Sequence, residues 1–265
     1  MYENKTGAAG IFYRKCGNGP VVILLHGFPA NGLLWNNITD ELSNSFTLII
    51  PDLPGSGNSP LKGEMSLTGM AKMVKTIMDE EHIGKAVIAG HSMGGYIGLA
   101  FAGLYPECVA GLSLVHSTTD ADDEDKKKMR TKSIDLIQNG GKKVFIEQMI
   151  PNLFSPAFKQ SAPDVVKKEI ERSMETPEES LVNFYKAMMM RSDSNYLLTI
   201  ATYPLQWICG DDDNVIPYKK NIVKSHVSGL NFVHIYNNCG HMSMLEVPGT
   251  LAIDLKQFST YCYQY

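Results

Sequence analysis

The sequence has no cysteines at the spacing of a metal knuckle or a disulfide framework. Its five, Cys16, Cys108, Cys209, Cys239 and Cys262, are odd in number, scattered, and never two or three residues apart. That usage fits reduced thiols and argues against a secreted, disulfide-stapled scaffold. A basic start followed by an apolar run is missing from the opening MYENKTGAAG, and no apolar stretch reaches the roughly 18 residues of a membrane span. A cytoplasmic protein with no membrane partner is the expectation. Excess positive charge is absent too: 24 Lys+Arg stand against 28 Asp+Glu, a formal net charge of −4. Without a basic footprint for a polyanion, nucleic acid drops out as an expected partner. No internal repeat or low-complexity linker interrupts the chain. What is present, 44% hydrophobic and 20% charged residues over 265 positions, is a globular composition. A chain of this size buries roughly 75% of its unfolded surface, so its core needs no staple.

Along the first 118 residues, strand and helix patterns alternate. Val21 to Leu25, Phe46 to Ile50, Ala86 to Ala89 and Val109 to Val115 are runs that stay apolar on both faces, as a parallel sheet covered by helices on both sides requires. Between them, Leu67, Met70, Ala71, Val74, Ile77 and Met78 recur at three and four residues, one apolar stripe on a crossover helix closed by His82. Gly94 to Leu104 is apolar nearly all round and glycine-rich, which predicts a buried helix close to the sheet, stopped by Pro106.

From about Thr119 to Tyr203 the pattern is charged, Met-rich and helical, with no convincing strand. Asp125 to Lys128 reads as the solvated face of a helix ending at Gly140-Gly141. Thr176-Pro177-Glu178-Glu179 reads as a capping box with proline at the first helical position, ahead of Leu181, Val182, Phe184, Tyr185, Met188 and Met189 on one face. Strands resume at Pro204 to Cys209 and Leu230 to Tyr236, and a last helix surrounds Leu251, Ile253, Leu255 and Phe258. The reading is α/β: a doubly wound, mostly parallel sheet from residues 1–118 and 204–265, interrupted by a helical insertion over 119–203.

Chemistry concentrates first in Gly90-His91-Ser92-Met93-Gly94, a G-x-S-x-G pentapeptide between a strand and a glycine-rich helix. Glycines flank such a serine because it sits on a strained turn where neighbouring Cβ atoms would collide, and the turn lifts its Oγ clear of the sheet. A hydroxyl is a poor nucleophile until a base takes its proton, and that base needs an orienting acid. Gly210-Asp211-Asp212-Asp213 lies past the C-terminal end of a strand, where α/β sheets place functional groups. Asp213, nearest to the helix opened by Pro217, is the favoured acid; Asp211 and Asp212 stay open as alternatives, with turn and cap chemistry as their other role.

His241, in the turn Asn237 to His241 between the last strand and the last helix, lies downstream of the acid and is the expected base. His226 falls in a helix pattern and His234 inside a strand, and both read as surface or packing residues. His116 follows a strand end and reads as a polar rim residue that could also line a substrate pocket. An oxyanion forming at Ser92 calls for backbone N–H donors, expected from Met93 and from Phe28 in the loop His26-Gly27-Phe28-Pro29. His26 itself reads as a hydrogen-bonded structural histidine. Asp52 to Ser59, although glycine-rich, lacks the ending of a P-loop and the G-x-G-x-x-G spacing, and reads as a structured turn. Trp35, Phe145, Phe154, Phe184, Met188 and Met189 could supply an apolar pocket, but their spacing favours core packing.

Taken together, HGFP at His26 to Pro29, DLPGSGNS at Asp52 to Ser59, GHSMGG at Gly90 to Gly95, GDDD at Gly210 to Asp213 and GH at Gly240-His241 resemble the α/β-hydrolase fold superfamily, specifically its capped serine hydrolases. The resemblance implies catalytic roles for Ser92, Asp213 and His241, a cap formed by the insertion, a small acyl substrate such as a carboxylic ester, and no metal or organic cofactor. Haloalkane dehalogenases and most epoxide hydrolases of the superfamily carry Asp where this chain has Ser92, which counts against both. Carboxylesterases, carbon-carbon bond hydrolases and cofactor-free haloperoxidases all keep the serine, and a ligand-binding module of the same fold is the non-enzymatic alternative.

Overall fold

The computed structural model describes residues 2–8, 10–62 and 65–264. Eight strands form one sheet: β1 (Glu3–Thr6), β2 (Phe12–Cys16), β3 (Val21–Leu25), β4 (Thr47–Pro51), β5 (Ala86–His91), β6 (Val109–Val115), β7 (Leu205–Gly210) and β8 (Asn231–Tyr236), in the order β1-β2-β4-β3-β5-β6-β7-β8. From β4 onward in that order all neighbours are parallel, while β1 and β2 join antiparallel. The six runs recognised in the sequence are β3 to β8, shifted at their ends by a residue or two. Their continuous apolar character has the expected cause, since every residue of β4, β5 and β7 is buried.

Helices cover both faces. A Cβ on Gly98 of the helix Met93–Leu104 would press on Leu112, and one on Gly111 would press on Phe258 and Cys262 of the helix Pro248–Gln264. Gly111 and Leu112 are consecutive in β6 and so face opposite sides, which puts the two helices on opposite faces of the sheet.

Strands β1 and β2 were absent from the sequence reading. In β2, Arg14 and Lys15 break the apolar pattern, yet both charges are spoken for by distant residues. Arg14 donates to Asn36 Oδ1 (2.7 Å) and to the carbonyl of Gly32 (2.5 Å), and Lys15 pairs with Glu81 at 2.6 Å. Partners that remote leave no local signal.

Between β6 and β7 every described element is helical, including Glu124–Leu136, Lys142–Met149, Pro163–Met174 and Glu178–Met189. The first ends at Leu136, and the segment Ile137–Gly141 that follows breaks the helical path at Asn139 and at Gly140, which takes a left-handed φ of 83°. Glu178–Met189 also forms, burying Leu181, Val182, Phe184, Tyr185 and Met188. Its start corrects the sequence reading. Pro177 is the cap residue, no side chain caps the helix, and Thr176 Oγ1 instead donates to the carbonyl of Pro29 at 2.9 Å. A tertiary hydrogen bond to the loop after β3 has taken the hydroxyl that a local cap would use. His226 lies past the short helix Tyr218–Ile222, in a turn. No described helix is long and apolar enough to cross a membrane.

Candidate active site

Ser92 sits between β5 and the helix Met93–Leu104 with φ 50° and ψ −114°, a positive φ that a non-glycine residue adopts only under constraint. Two close approaches impose it. A Cβ on Gly90 would lie 2.3 Å from the carbonyl oxygen of Gly94, and one on Gly94 would lie 2.2 Å from that of Leu25. The turn is held by Ser92 N–H donating to the carbonyl of Val115 (2.9 Å) and by Ser117 Oγ donating to the carbonyl of Ser92 (2.8 Å).

Asp213 lies in the loop after β7 and His241 in the loop after β8, brought side by side because β7 and β8 are parallel neighbours. His241 Nδ1 is 2.7 Å from Asp213 Oδ2. The other carboxylate oxygen, Oδ1, accepts the backbone N–H groups of Val215 (2.8 Å) and Ile216 (2.9 Å). Among the three aspartates, Asp213 is the one that meets a histidine; Asp211 is exposed and accepts only a long bond from Cys239 N–H. Burial alone would push the Asp213 carboxyl up, but the charge of His241 and hydrogen bonds from His116 and His241 outweigh it, holding the group well below the usual carboxylate range.

Three buried imidazoles pack here, with centroid separations of 4.9 Å for His91 and His241, 5.5 Å for His116 and His241, and 6.1 Å for His91 and His116. His91 Nε2–H donates to the carbonyl of His241 at 2.9 Å. It thereby links the residue next to Ser92 to the backbone of His241. Ser92 Oγ itself makes no hydrogen bond to His241 among the described residues. Burial drives the pKa of His91 well below its ordinary value, reinforced by the neighbouring imidazoles.

Two placements correct the sequence reading or go beyond it. His116, expected at the rim, is 0% exposed, and its Nδ1 lies 3.1 Å from Asp213 Oδ2. Glu246 was not singled out at all. Its carboxylate accepts the N–H groups of Gly240 (3.1 Å), Met242 (3.2 Å) and Ser155 (3.0 Å), so it braces both sides of His241 and ties that loop to the helical segment between β6 and β7. His241 N–H donates to the carbonyl of Leu153 at 2.6 Å across the same junction. Nothing local marks Glu246, since its three partners are backbone groups of folded loops.

His26 behaves as expected, with Nε2 accepting from Leu53 N–H (2.9 Å) and Nδ1–H donating to the carbonyl of Gly27 (2.9 Å). Phe28 and Met93 stand at the loop after β3 and at the first helical position after Ser92, and no hydrogen bond among the described residues takes up either N–H. Phe28 is half-buried and stacks on Tyr185 at 4.5 Å, with Phe145 and Phe184 each 6.3 Å away. The aromatic residues read as core are thus packed, and two of them, Phe145 and Phe184, close around this loop together with Tyr185. By contrast, a surface cavity of about 1060 Å³ is lined by Lys85, Tyr203 and Leu230 near the N-terminal ends of the strands. Volume alone does not find the chemistry here.

His116, Asp213 and His241 are the one described group of side chains close enough to gather round a cation. Both imidazoles, however, point Nδ1 at a single carboxylate oxygen at hydrogen-bond distances of 2.7 and 3.1 Å. An ion with bonds near ~2.1 Å to each atom would have to enter where those hydrogen bonds lie. The donor set fits two N–H···O bonds.

Comparison with known proteins bears on the family and the fold. A family profile described as the alpha/beta hydrolase fold matches residues 20–248. The chain is 38% identical over 106 residues to the pimeloyl-[acyl-carrier protein] methyl ester esterase of Aeromonas hydrophila, a stretch covering 39% of this chain and 40% of that enzyme. It is 35% identical over 104 residues to an uncharacterized protein of Mycobacterium tuberculosis, covering 39% of this chain and 30% of that one. The match therefore spans well under half the length of either curated relative. Among solved structures, a thermophilic esterase from Thermogutta terrifontis superimposes with a TM-score of 0.91 at 26% identity, covering 99% of each chain. An enol-lactonase from Burkholderia xenovorans shares the fold, with a TM-score of 0.88 at 18% identity over 97% of this chain and 100% of the other.

Proposed function

We propose, for a chain that belongs to the alpha/beta hydrolase fold family, that it is a serine hydrolase cleaving a carboxylic ester or related small acyl substrate. The observation that carries this is the buried 2.7 Å bond between Asp213 and His241, set beside a serine whose backbone is forced to positive φ. Because Nδ1–H of His241 donates to the carboxylate, Nε2 is left with a free lone pair to accept the proton of Ser92 Oγ. The oxygen then bonds to the substrate carbonyl carbon. The resulting oxyanion is held by the N–H groups of Phe28 and Met93, which have no other partner among the described residues. As the tetrahedral intermediate collapses, the ester C–O bond breaks and His241 returns its proton to the departing alcohol. Water, deprotonated by His241, attacks the acyl-serine ester and regenerates Ser92. Asp213 stays ionised throughout, which suits its depressed pKa.

The helical segment between β6 and β7 serves as the cap in this reading, with Phe145, Phe184 and Tyr185 bordering the Phe28 loop. The pimeloyl ester relative supports an ester as substrate. A fluorophosphonate tests the reading directly. The intact protein is expected to gain one adduct on Ser92, to lose p-nitrophenyl ester hydrolysis in step, and to do neither in Ser92→Ala. Absence of both labelling and turnover would sink the enzyme reading and leave a binding module of the same fold.

A further inference from the structure

Resting on that reading, we infer that His116 is a positioning residue whose Nδ1–H shares Oδ2 of Asp213 with the proposed base, so that one carboxylate oxygen holds two imidazoles. The geometry leaves little choice of roles. A carboxylate oxygen only accepts, so the nitrogen 3.1 Å away must carry its proton. His116 Nε2 is then bare, and it is buried without a partner. Nothing else in reach occupies the ring with a hydrogen bond, and the backbone at His116 takes a positive φ of 48° to present it. Such a conformation in a fully buried residue persists only where the surroundings over-determine it.

The consequence for the site is electrostatic as well as geometric. A second donor on Oδ2 spreads the carboxylate's negative charge over two hydrogen bonds and limits how tightly it grips the protonated base. It also locks the carboxylate plane, whose other oxygen is already fixed by Val215 and Ile216. The titratable groups that face His116 are Asp213 and His241 from the loops after β7 and β8, Glu246 beyond them, and His91 from the end of β5. Asp213 is faced in addition by Tyr96, Cys209 and Cys239. Burial keeps His116 below its ordinary pKa despite the adjacent carboxylate, which favours the neutral donor.

Two substitutions separate this role from simple packing. His116→Phe keeps a ring and removes the donor. His116→Asn places an amide N–H near the position of Nδ1 and tolerates positive φ. His116→Phe is expected to lower kcat by roughly tenfold to a hundredfold, the worth of one hydrogen bond to a charged group, with KM little changed. It should also move the acid limb of the kcat/KM profile up by about one pH unit, since the unshared carboxylate holds the proton on the base more firmly. His116→Asn is expected to recover most of both. An unchanged pH profile in a folded His116→Phe, or no advantage of Asn over Phe, overturns the inference.

Should neither variant fold, nitrogen-15 NMR of the wild-type protein still decides. A His116 proton resident on Nδ1 through the pH range in which activity titrates supports the role, and one on Nε2 ends it. Failure of the underlying reading looks different: fluorophosphonate then does not label Ser92 in the wild type, whatever the His116 variants do.

Discussion

Two aspartates among the described residues meet histidines, and they do so in very different surroundings. His241 and Asp213 meet at 2.7 Å with side chains 3% and 0% exposed; His234 and Asp254 meet at 3.1 Å with side chains 25% and 15% exposed. The second pair lies between edge strand β8 and the last helix, where Asp254 also accepts the hydroxyl of Tyr236 at 2.7 Å. Both pairs use the same two functional groups. Water screens the edge pair, so its interaction is worth little, whereas the inner pair works in a medium where charge is felt strongly. The inner pair also stands beside a constrained serine and two further imidazoles. Desolvation and neighbours, more than the identity of the two residues, separate a working couple from a surface contact.

That contrast can be broken at several points. The largest effect belongs to Ser92→Ala, expected to lower kcat by on the order of 10⁶ while leaving thermal unfolding nearly unchanged, checked by ester kinetics and calorimetry. Asp213→Asn, which misassigns the tautomer of His241, is expected to cost about 10⁴ in kcat. Asp211→Asn and Asp212→Asn should stay within about threefold, as surface changes outside the hydrogen-bonded couple. Equal losses at Asp212 and Asp213 would show that the wrong carboxylate has been assigned to the base.

Acid titration sharpens the contrast further. His26, His91 and His116 are all buried, and burial lowers the pKa of each. On unfolding each returns to about 6.5 and binds a proton the native state refuses, so stability is complete above that pH and declines below it. The decline is expected to approach about 1 kcal/mol per pH unit for each histidine, read from denaturant midpoints between about pH 6.5 and 5. His116→Asn should make it shallower, and a flat profile would contradict neutral burial of all three. Asp213 adds to the loss only at lower pH. Its folded pKa is depressed, so its contribution is present above about 4 and disappears as the carboxyl protonates. The smallest effect is at the edge: Asp254→Asn or His234→Asn should cost under about 1 kcal/mol and leave kcat/KM within about twofold.

Much of the architecture was readable in the chain because its signals are local. Strands β3 to β6 announce themselves as apolar on both sides, β7 and β8 as strand patterns that resume after the helical stretch, and the serine turn as two glycines around a serine after a strand. Strands β1 and β2 did not, because an antiparallel edge tolerates Arg14 and Lys15 once distant groups accept their hydrogen bonds. The cap of the helix Glu178–Met189 went astray for a related reason. Thr176 has the right residue type and spacing, but a carbonyl 147 residues away takes its hydroxyl.

The chain by itself determined the order of the chemical groups, the turn that constrains Ser92, and the strand ends from which Asp213 and His241 emerge, since each depends on neighbours within a few residues. Only the tertiary structure decided that His116 lies under the carboxylate instead of at the rim, that Glu246 braces the loop of His241, and that His91 joins that loop to the serine turn. Those contacts join residues 97 and 150 positions apart for His116 and His91. Their energetic weight comes from burial, which belongs to the packed molecule and has no expression in any short stretch of sequence.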